Sequence, residues 1–296
     1  MKLATIIERT RHHICVVDPE AHTVRIVTHV GRRPVATMLA VIERVAAGET
    51  SFDYGTTAPL DEVRLAAPIP RPHRNILCVG KNYHEHAREF ARSGFDSGAP
   101  KAADAVPAAP IIFTKSPETV IATGDVVECP EALAQALDYE GELAVIIGRP
   151  GKAIPPERAY EHVFGYAITN DVTARDWQKK HVQWFLGKSA DGFCPFGPWI
   201  TTADEIDAGN LGLRCWVNGE LRQNANTRDL IFDIPALIAT ISQGIRLLPG
   251  DIISTGTPVG VGIGFDPPRF LKRGDVVTIE IDGLGRLENP FMAGAS

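Results

Sequence analysis

The chain has 296 residues, 44% of them hydrophobic and 22% charged, and its thirty basic against thirty-six acidic side chains give a net charge of −6. Disorder and collagen-like fibres are excluded by that composition, which fits a globular protein with one large domain or two smaller ones. The acidic balance argues against a nucleic-acid or anionic-membrane surface, so the expected partner is a small molecule.

At the N-terminus, Glu8 and Arg9 interrupt the chain before the apolar core of a signal peptide can form. No apolar run approaches the ~20 residues a bilayer needs. The expected location is the cytoplasm. A β-like segment at 14–17, a turn at Asp18-Pro19-Glu20 and the alternating Val24 and Ile26 predict a hairpin. Met38, Val41, Ile42 and Val45 recur at helical spacing over 37–47, with Gly48 as a stop. The run Ala67-Pro68-Ile69-Pro70-Arg71-Pro72 forms neither helix nor central strand, because each proline removes a donor and restrains its neighbour. It marks the boundary between a small N-terminal domain, 1–66, and a larger one, 67–296.

Beyond the boundary, 75–79 reads as a buried strand and 82–92 as a helix. Residues 93–110 are rich in Gly, Ala, Pro and Ser and are expected to form a mobile loop that acts as a lid. Strand-like segments follow at 111–113, 126–128, 139–147, 164–169, 213–217, 251–254 and 276–281, with helical spacing at 172–185 and 234–245. A β-rich α+β core is expected. The five cysteines are scattered, odd in number and without a C-x-x-C pair, which predicts buried, reduced thiols.

The segment Asp138-Tyr139-Glu140-Gly141-Glu142 carries the first chemistry. On a strand, Glu140 and Glu142 share a face, their Cα atoms roughly 6.6 Å apart. Their repulsion is relieved either by a hard divalent cation such as Mg²⁺, Mn²⁺ or Ca²⁺ or by water on an edge strand. The unbroken apolar run of residues 143–147 favours burial, where uncompensated glutamates are costly. Asp171, between a strand-like and a helical stretch, is either a helix N-cap or a third carboxylate completing a half-shell around one cation. His86 and Glu89 stand three apart on a predicted helix, a spacing that suits a proton-transfer pair and equally a solvated face; His84 is a nearby decoy.

Two nucleotide-like motifs fail. Gly187-Lys188-Ser189 lacks the earlier glycine of a phosphate-binding loop, since Val182 stands there. The glycine-rich run of residues 255–264 puts Phe265, Asp266 or Pro267 where a dinucleotide fingerprint needs its last glycine. Such a loop either presents N–H groups and threonine hydroxyls to a substrate carboxylate or is a plain turn.

Taken together and in order, Cys78-Val79-Gly80-Lys81-Asn82-Tyr83 with His86 and Glu89, Asp138-Tyr139-Glu140-Gly141-Glu142, Thr169-Asn170-Asp171-Val172-Thr173-Ala174-Arg175-Asp176, Gly187-Lys188-Ser189, Cys194-Pro195-Phe196-Gly197-Pro198-Trp199, Val217-Asn218-Gly219-Glu220 and residues 250–258 resemble the fumarylacetoacetate hydrolase family over residues 75–290. The resemblance implies a mixed β-sandwich roll as the catalytic domain, a homodimer, and Mg²⁺ or Mn²⁺ used to bind 2-oxo or enol carboxylates. By motif, Glu140, Glu142 and Asp171 match the family's metal ligands, and His86 and Glu89 its water-activating dyad. Lys188 matches a transition-state residue and Arg175, Gln178 and Thr257 substrate contacts, with Thr255 able to share the last role. Residues 1–66 resemble the small N-terminal domain of two-domain bacterial members.

The reaction expected first is hydrolysis of a C–C bond in a 3-acylpyruvate or fumarylacetoacetate-like 2-oxo acid, with water activated by His86 and Glu89 and the developing charge neutralised by Lys188. The same kind of site also serves oxaloacetate decarboxylation, or isomerisation and hydration of dienoates in aromatic catabolism, and fold and motifs do not separate these outcomes. A non-catalytic metal- and ligand-binding module is a reading from a different class; the retained dyad would then have no purpose.

Overall fold

The computed structural model describes residues 1–95, 105–133 and 135–293. Its frame is a thirteen-stranded mixed sheet packed against a five-stranded one. The strand Gly141–Ile147 lies inside the larger sheet, antiparallel to Val163–Asn170 on one side and to Ile252–Ser254 on the other. All seven of its residues are buried. Leu143, Val145 and Ile147 pack with Leu213, Cys215, Val277, Ile279 and Leu287 of the smaller sheet. Ala144 and Ile146 face the opposite way, into a second core with Leu3, Met38, Val41 and Ile42. A strand covered on both faces reads as continuous apolar sequence, which accounts for the run after Glu142.

The first hairpin forms as Arg11–Asp18 and Thr23–Val30. Helix α1 (Met38–Ala46) is capped by Thr37, whose hydroxyl accepts from the Ala40 N–H at 3.2 Å. The strand Lys2–Glu8 joins this unit to the rest: it pairs with Arg11–Asp18 and, through Lys2 and Leu3, with Thr201 and Ile200 of Cys194–Thr202. We propose that residues 1–66 are a small domain docked by a shared sheet and a shared core. Leu3→Ala, at a fully buried contact between the two, is then expected to cost about 2–5 kcal/mol and to lower the midpoint of one common unfolding transition. Two separated transitions in differential scanning calorimetry, one of them unmoved, would contradict the shared core.

Helix α2 (His84–Arg92) follows the buried strand Ile76–Gly80. The expected helix at 172–185 is broken in two, α3 (Arg175–Lys180) and α4 (Phe185–Lys188), and Thr173–Ala174 instead bridges to Leu137–Asp138. The break falls at Val182, whose φ of +59° is unfavourable for a β-branched residue in any helix. Helix α5 (Ile234–Gly244) starts at Asp233, which caps the Ala236 N–H, and buries Leu237, Ile238 and Ile241. Ile245, expected on that apolar face, lies past the helix end and is exposed. Most of the expected lid, residues 96–104, falls outside the described residues.

Candidate active site

The site forms where Gly141–Ile147 and Val163–Asn170 end side by side. Gly141 pairs with Asn170, so Glu140 and Asp171 sit one residue beyond the ladder on adjacent strands. The Asp171 N–H donates to the Glu140 carbonyl at 2.8 Å, and the Glu140 N–H to Asn170 Oδ1 at 3.0 Å. Asp171 is thus a strand-end residue; the N-cap position of the following helix is three residues later, at Ala174, with no side-chain cap. Glu140, Glu142 and Asp171 are 4%, 1% and 1% exposed, and one oxygen from each lies within 4.8 Å of the others. A solvated acidic edge is ruled out.

Basic groups surround this cluster unevenly. Arg175 Nη2 lies 2.6 Å from Glu140 Oε1, and its Nε donates to Asp138 Oδ2 at 2.9 Å. Lys188 donates to Glu140 Oε2 at 2.9 Å, Asp171 Oδ2 at 2.7 Å and Thr173 Oγ1 at 2.9 Å, which engages all three of its N–H donors. Burial alone would lower its pKa, but Asp171 and Glu140 more than reverse this and the ammonium stays charged. Lys115, fully buried, donates to Asp171 Oδ1 at 2.6 Å. Three cations thus serve Asp138, Glu140 and Asp171. The fourth carboxylate, Glu142, accepts from Ser254 Oγ at 2.5 Å and from the Gly256 N–H at 2.9 Å, and no basic group among the described residues pairs with it.

The two glutamates are accordingly driven apart. Burial raises the pKa of Glu140, but Lys188 and Arg175 outweigh burial and hold it at about 2. Burial, then the charges of Asp171 and Glu140, push Glu142 well above the usual carboxylate range. A buried carboxylate without a cation, facing two others across less than 5 Å, is a set of hard oxygen donors that fits a divalent ion such as Mg²⁺ or Mn²⁺.

His86 and Glu89 stand on the inward face of α2. His86 is 4% exposed, and its Nδ1 lies 3.0 Å from Glu89 Oε2. The solvated-face alternative is excluded for this pair; His84 is exposed on the same helix. Glu89 Oε1 accepts from the Gly260 N–H at 3.0 Å. The glycine-rich loop does present N–H groups to carboxylates, yet they are the protein's own: Gly256 serves Glu142, Gly260 serves Glu89, and Gly262 and Ile263 serve Asp138. Gly256 has a φ of +101°, and a side chain there would also meet Asn82 Cβ at 2.8 Å.

A cavity beside the cluster is lined by His86, Glu140, Arg175, Gln178, Lys188 and Thr257, with Phe90, Phe113 and Trp184 among its walls. Glu89, Glu142 and Asp171 are not part of that lining and sit behind it. Gln178 Oε1 accepts from Arg175 at 3.3 Å. Thr257 Oγ1 donates to the Gly141 carbonyl at 3.1 Å and accepts from Gln223 Nε2 at 2.8 Å. Thr255 points elsewhere, its hydroxyl donating to the Leu143 carbonyl. Three contributors escaped the sequence reading. Lys81 also lines the cavity at a φ of +55°, its ammonium 5.2 Å from the Phe90 ring centre. Lys115 ends an apolar strand, Ile111–Lys115, a position where a lysine is conspicuous. Gln223, buried in an otherwise alternating strand, gave no signal.

The profile of the family described as fumarylacetoacetate (FAA) hydrolase, C-terminal, matches residues 75–292. An oxaloacetate tautomerase of Bacillus subtilis, YisK, is 52% identical over 240 residues, covering 81% of this chain and 75% of that protein. The structure of a fumarylacetoacetate hydrolase from Exiguobacterium antarcticum superposes with a TM-score of 0.84 at 42% identity, covering 99% of both chains. That of a maleylpyruvate hydrolase from Sphingobium sp. SYK-6, in complex with manganese(II) and pyruvate, gives 0.77 at 32% identity and covers all of both.

Proposed function

Because the chain belongs to the fumarylacetoacetate hydrolase family, whose members are enzymes acting on small carboxylates, we propose that it is a Mg²⁺- or Mn²⁺-dependent tautomerase that interconverts the keto and enol forms of oxaloacetate or a close 2-oxo dicarboxylate. The observation that carries this reading is a buried histidine held by a carboxylate at the wall of a cavity that Glu140, Arg175 and Lys188 also line. Glu140, Glu142 and Asp171 would hold the cation. When bound, such an ion polarises the 2-oxo group and the adjacent carboxylate, lowering the cost of negative charge on oxygen.

The protein's own groups then have one proton to manage. Glu89 fixes His86 through Nδ1, which leaves Nε2 as the nitrogen that takes a proton from C3 of the keto form or returns it to the enol. Arg175 and Lys188 act by charge: Lys188 has its three donors on Glu140, Asp171 and Thr173, and Arg175 holds Asp138 through Nε and Gln178 through Nη1 while its Nη2 lies against Glu140. Gln178 and Thr257 border the substrate, and the aromatic walls keep bulk water off the base.

Tautomerisation is favoured over the hydrolysis expected first because it asks no more than this single transfer, and because the 52% identical relative bears that activity in its name. Hydrolysis of a 3-acylpyruvate is the second reading, supported by the same dyad and by the likeness to a maleylpyruvate hydrolase. The test follows the ultraviolet band of enol-oxaloacetate: Mn²⁺-loaded protein is expected to speed ketonisation well above Mn²⁺ alone, and a chelator to abolish the gain. No acceleration, with C–C cleavage of an acylpyruvate under the same conditions, would replace the first reading by the second.

A further inference from the structure

Asp138 is fully buried, is not part of the cavity lining and belongs to neither the dyad nor the proposed ligand set. Both of its oxygens are nevertheless committed, and to two different parts of the site. Oδ1 accepts from the Gly262 N–H at 2.6 Å and from the Tyr139 N–H at 3.0 Å. Oδ2 accepts from the Ile263 N–H at 3.2 Å and from Arg175 Nε at 2.9 Å. The loop so gripped is the one that holds the dyad: Gly260 donates to Glu89, and a methyl group at Gly264 would lie 1.7 Å from Glu89 Oε1. The arginine so gripped reaches Glu140 at 2.6 Å. The Tyr139 hydroxyl adds a second tie to the loop, donating to the Gly260 carbonyl at 2.7 Å.

We propose that Asp138 is a positioning residue that sets the distance between the His86/Glu89 pair and the carboxylate cluster, by anchoring the glycine-rich loop and Arg175 to one side chain. Proton transfer falls steeply with misplacement of the base, and rigid backing is what a base on a short helix beside a cleft needs. The arrangement also gives the glycines of this loop a purpose. A side chain at Gly262 would strike Asp138 Oδ1 at 2.6 Å, and one at Gly264 would displace Glu89.

The proposal takes its reaction from the tautomerase reading, so its test uses two readouts that do not. D138N keeps an oxygen for Gly262 but turns an N–H₂ toward Ile263 and Arg175, both donors. In metal-free D138N, amide hydrogen exchange at Gly260 and Gly262 is expected to quicken about tenfold, and Mn²⁺ affinity by calorimetry to fall about tenfold. With Mn²⁺ saturating, kcat on oxaloacetate should fall about 10–10²-fold with KM within threefold. G264A, at the exposed end of the turn Gly262–Gly264, should lower kcat about tenfold or more and leave Mn²⁺ affinity unchanged. The two defects should not add, the double variant falling within about twofold of the worse single one. D138E, which moves the oxygens by one methylene, carries the same expectations should D138N fail to fold. Exchange, Mn²⁺ affinity and kcat all within twofold of wild type, or additive losses, would overturn the proposal. Wild type inactive on oxaloacetate would overturn the tautomerase reading alone, leaving exchange and calorimetry to decide the role of Asp138.

Discussion

Glu142→Gln is expected to abolish Mn²⁺-dependent turnover while making the metal-free protein more stable. The loss follows from removing one of the three proposed ligands: affinity for Mn²⁺ should fall by more than about 10²-fold, and turnover by about 10³-fold, the value of a polarising cation at an enolising carbonyl. The gain in stability follows from the same carboxylate. Glu142 is buried with no cationic partner among the described residues and its pKa stands well above the usual range, so at neutral pH the metal-free fold carries the cost of a charge or of the proton that quenches it. Gln keeps an oxygen for Ser254 and Gly256 and presents its N–H₂ to the nearby carboxylates. A rise of about 1–3 kcal/mol is expected. The pH dependence has a definite sign. Between the ordinary carboxylate pKa and the raised one, the folded state binds more protons than the unfolded, so wild-type stability falls as pH rises through that window. E142Q should flatten this slope, and so should saturating Mn²⁺, which displaces the proton and leaves Glu142 deprotonated in the folded state as in the unfolded. Thermal melts of the two proteins from pH 5 to 8, with and without Mn²⁺, read all of these effects; an E142Q protein that is less stable and still binds Mn²⁺ would show that Glu142 is not a ligand.

His86→Ala should lower turnover by about 10²–10⁴-fold, the usual worth of a positioned general base. Mn²⁺ affinity should stay within about twofold, because the imidazole's bonded partner is Glu89 rather than a member of the carboxylate cluster. E89Q is expected to move in the same direction by less, since a carboxamide oxygen still accepts from Nδ1 but no longer stabilises the imidazolium. Loss of metal binding in H86A would place the histidine in the cluster; unchanged turnover would remove it from the chemistry.

What could be read in the sequence was local. The spacing of Glu140 and Glu142, the apolar run behind them, the His86–Glu89 interval and the amphipathic helix at 37–47 are all written within a dozen residues, and each appears in the fold. One local signal misled for a physical reason. The helical pattern at 172–185 yielded to the bonds of Thr173 and to the left-handed backbone at Val182. Cys194–Thr202 forms a buried strand to which the sequence reading assigns no element, its prolines at 195 and 198 breaking any alternating pattern. The rest was set by contacts distant in the chain. Lys115 meets Asp171 across 56 residues, Gln223 meets Gly141 across 82 and Gly262 meets Asp138 across 124. No periodicity records such pairings, and the fact that the loop's N–H groups serve internal carboxylates depends on all of them at once.

The proposed chemistry is a single proton exchanged at C3 of a 2-oxo dicarboxylate by His86 under control of a cation held by three carboxylates. Deuterium incorporation at C3 of oxaloacetate, followed by NMR in D₂O with pyruvate counted in the same sample, tests it most directly. The expected result is exchange well above that given by Mn²⁺ alone, without matching release of pyruvate, and lost in both E142Q and H86A. Pyruvate formed in step with every deuterium gained, or exchange that survives both substitutions, would contradict it.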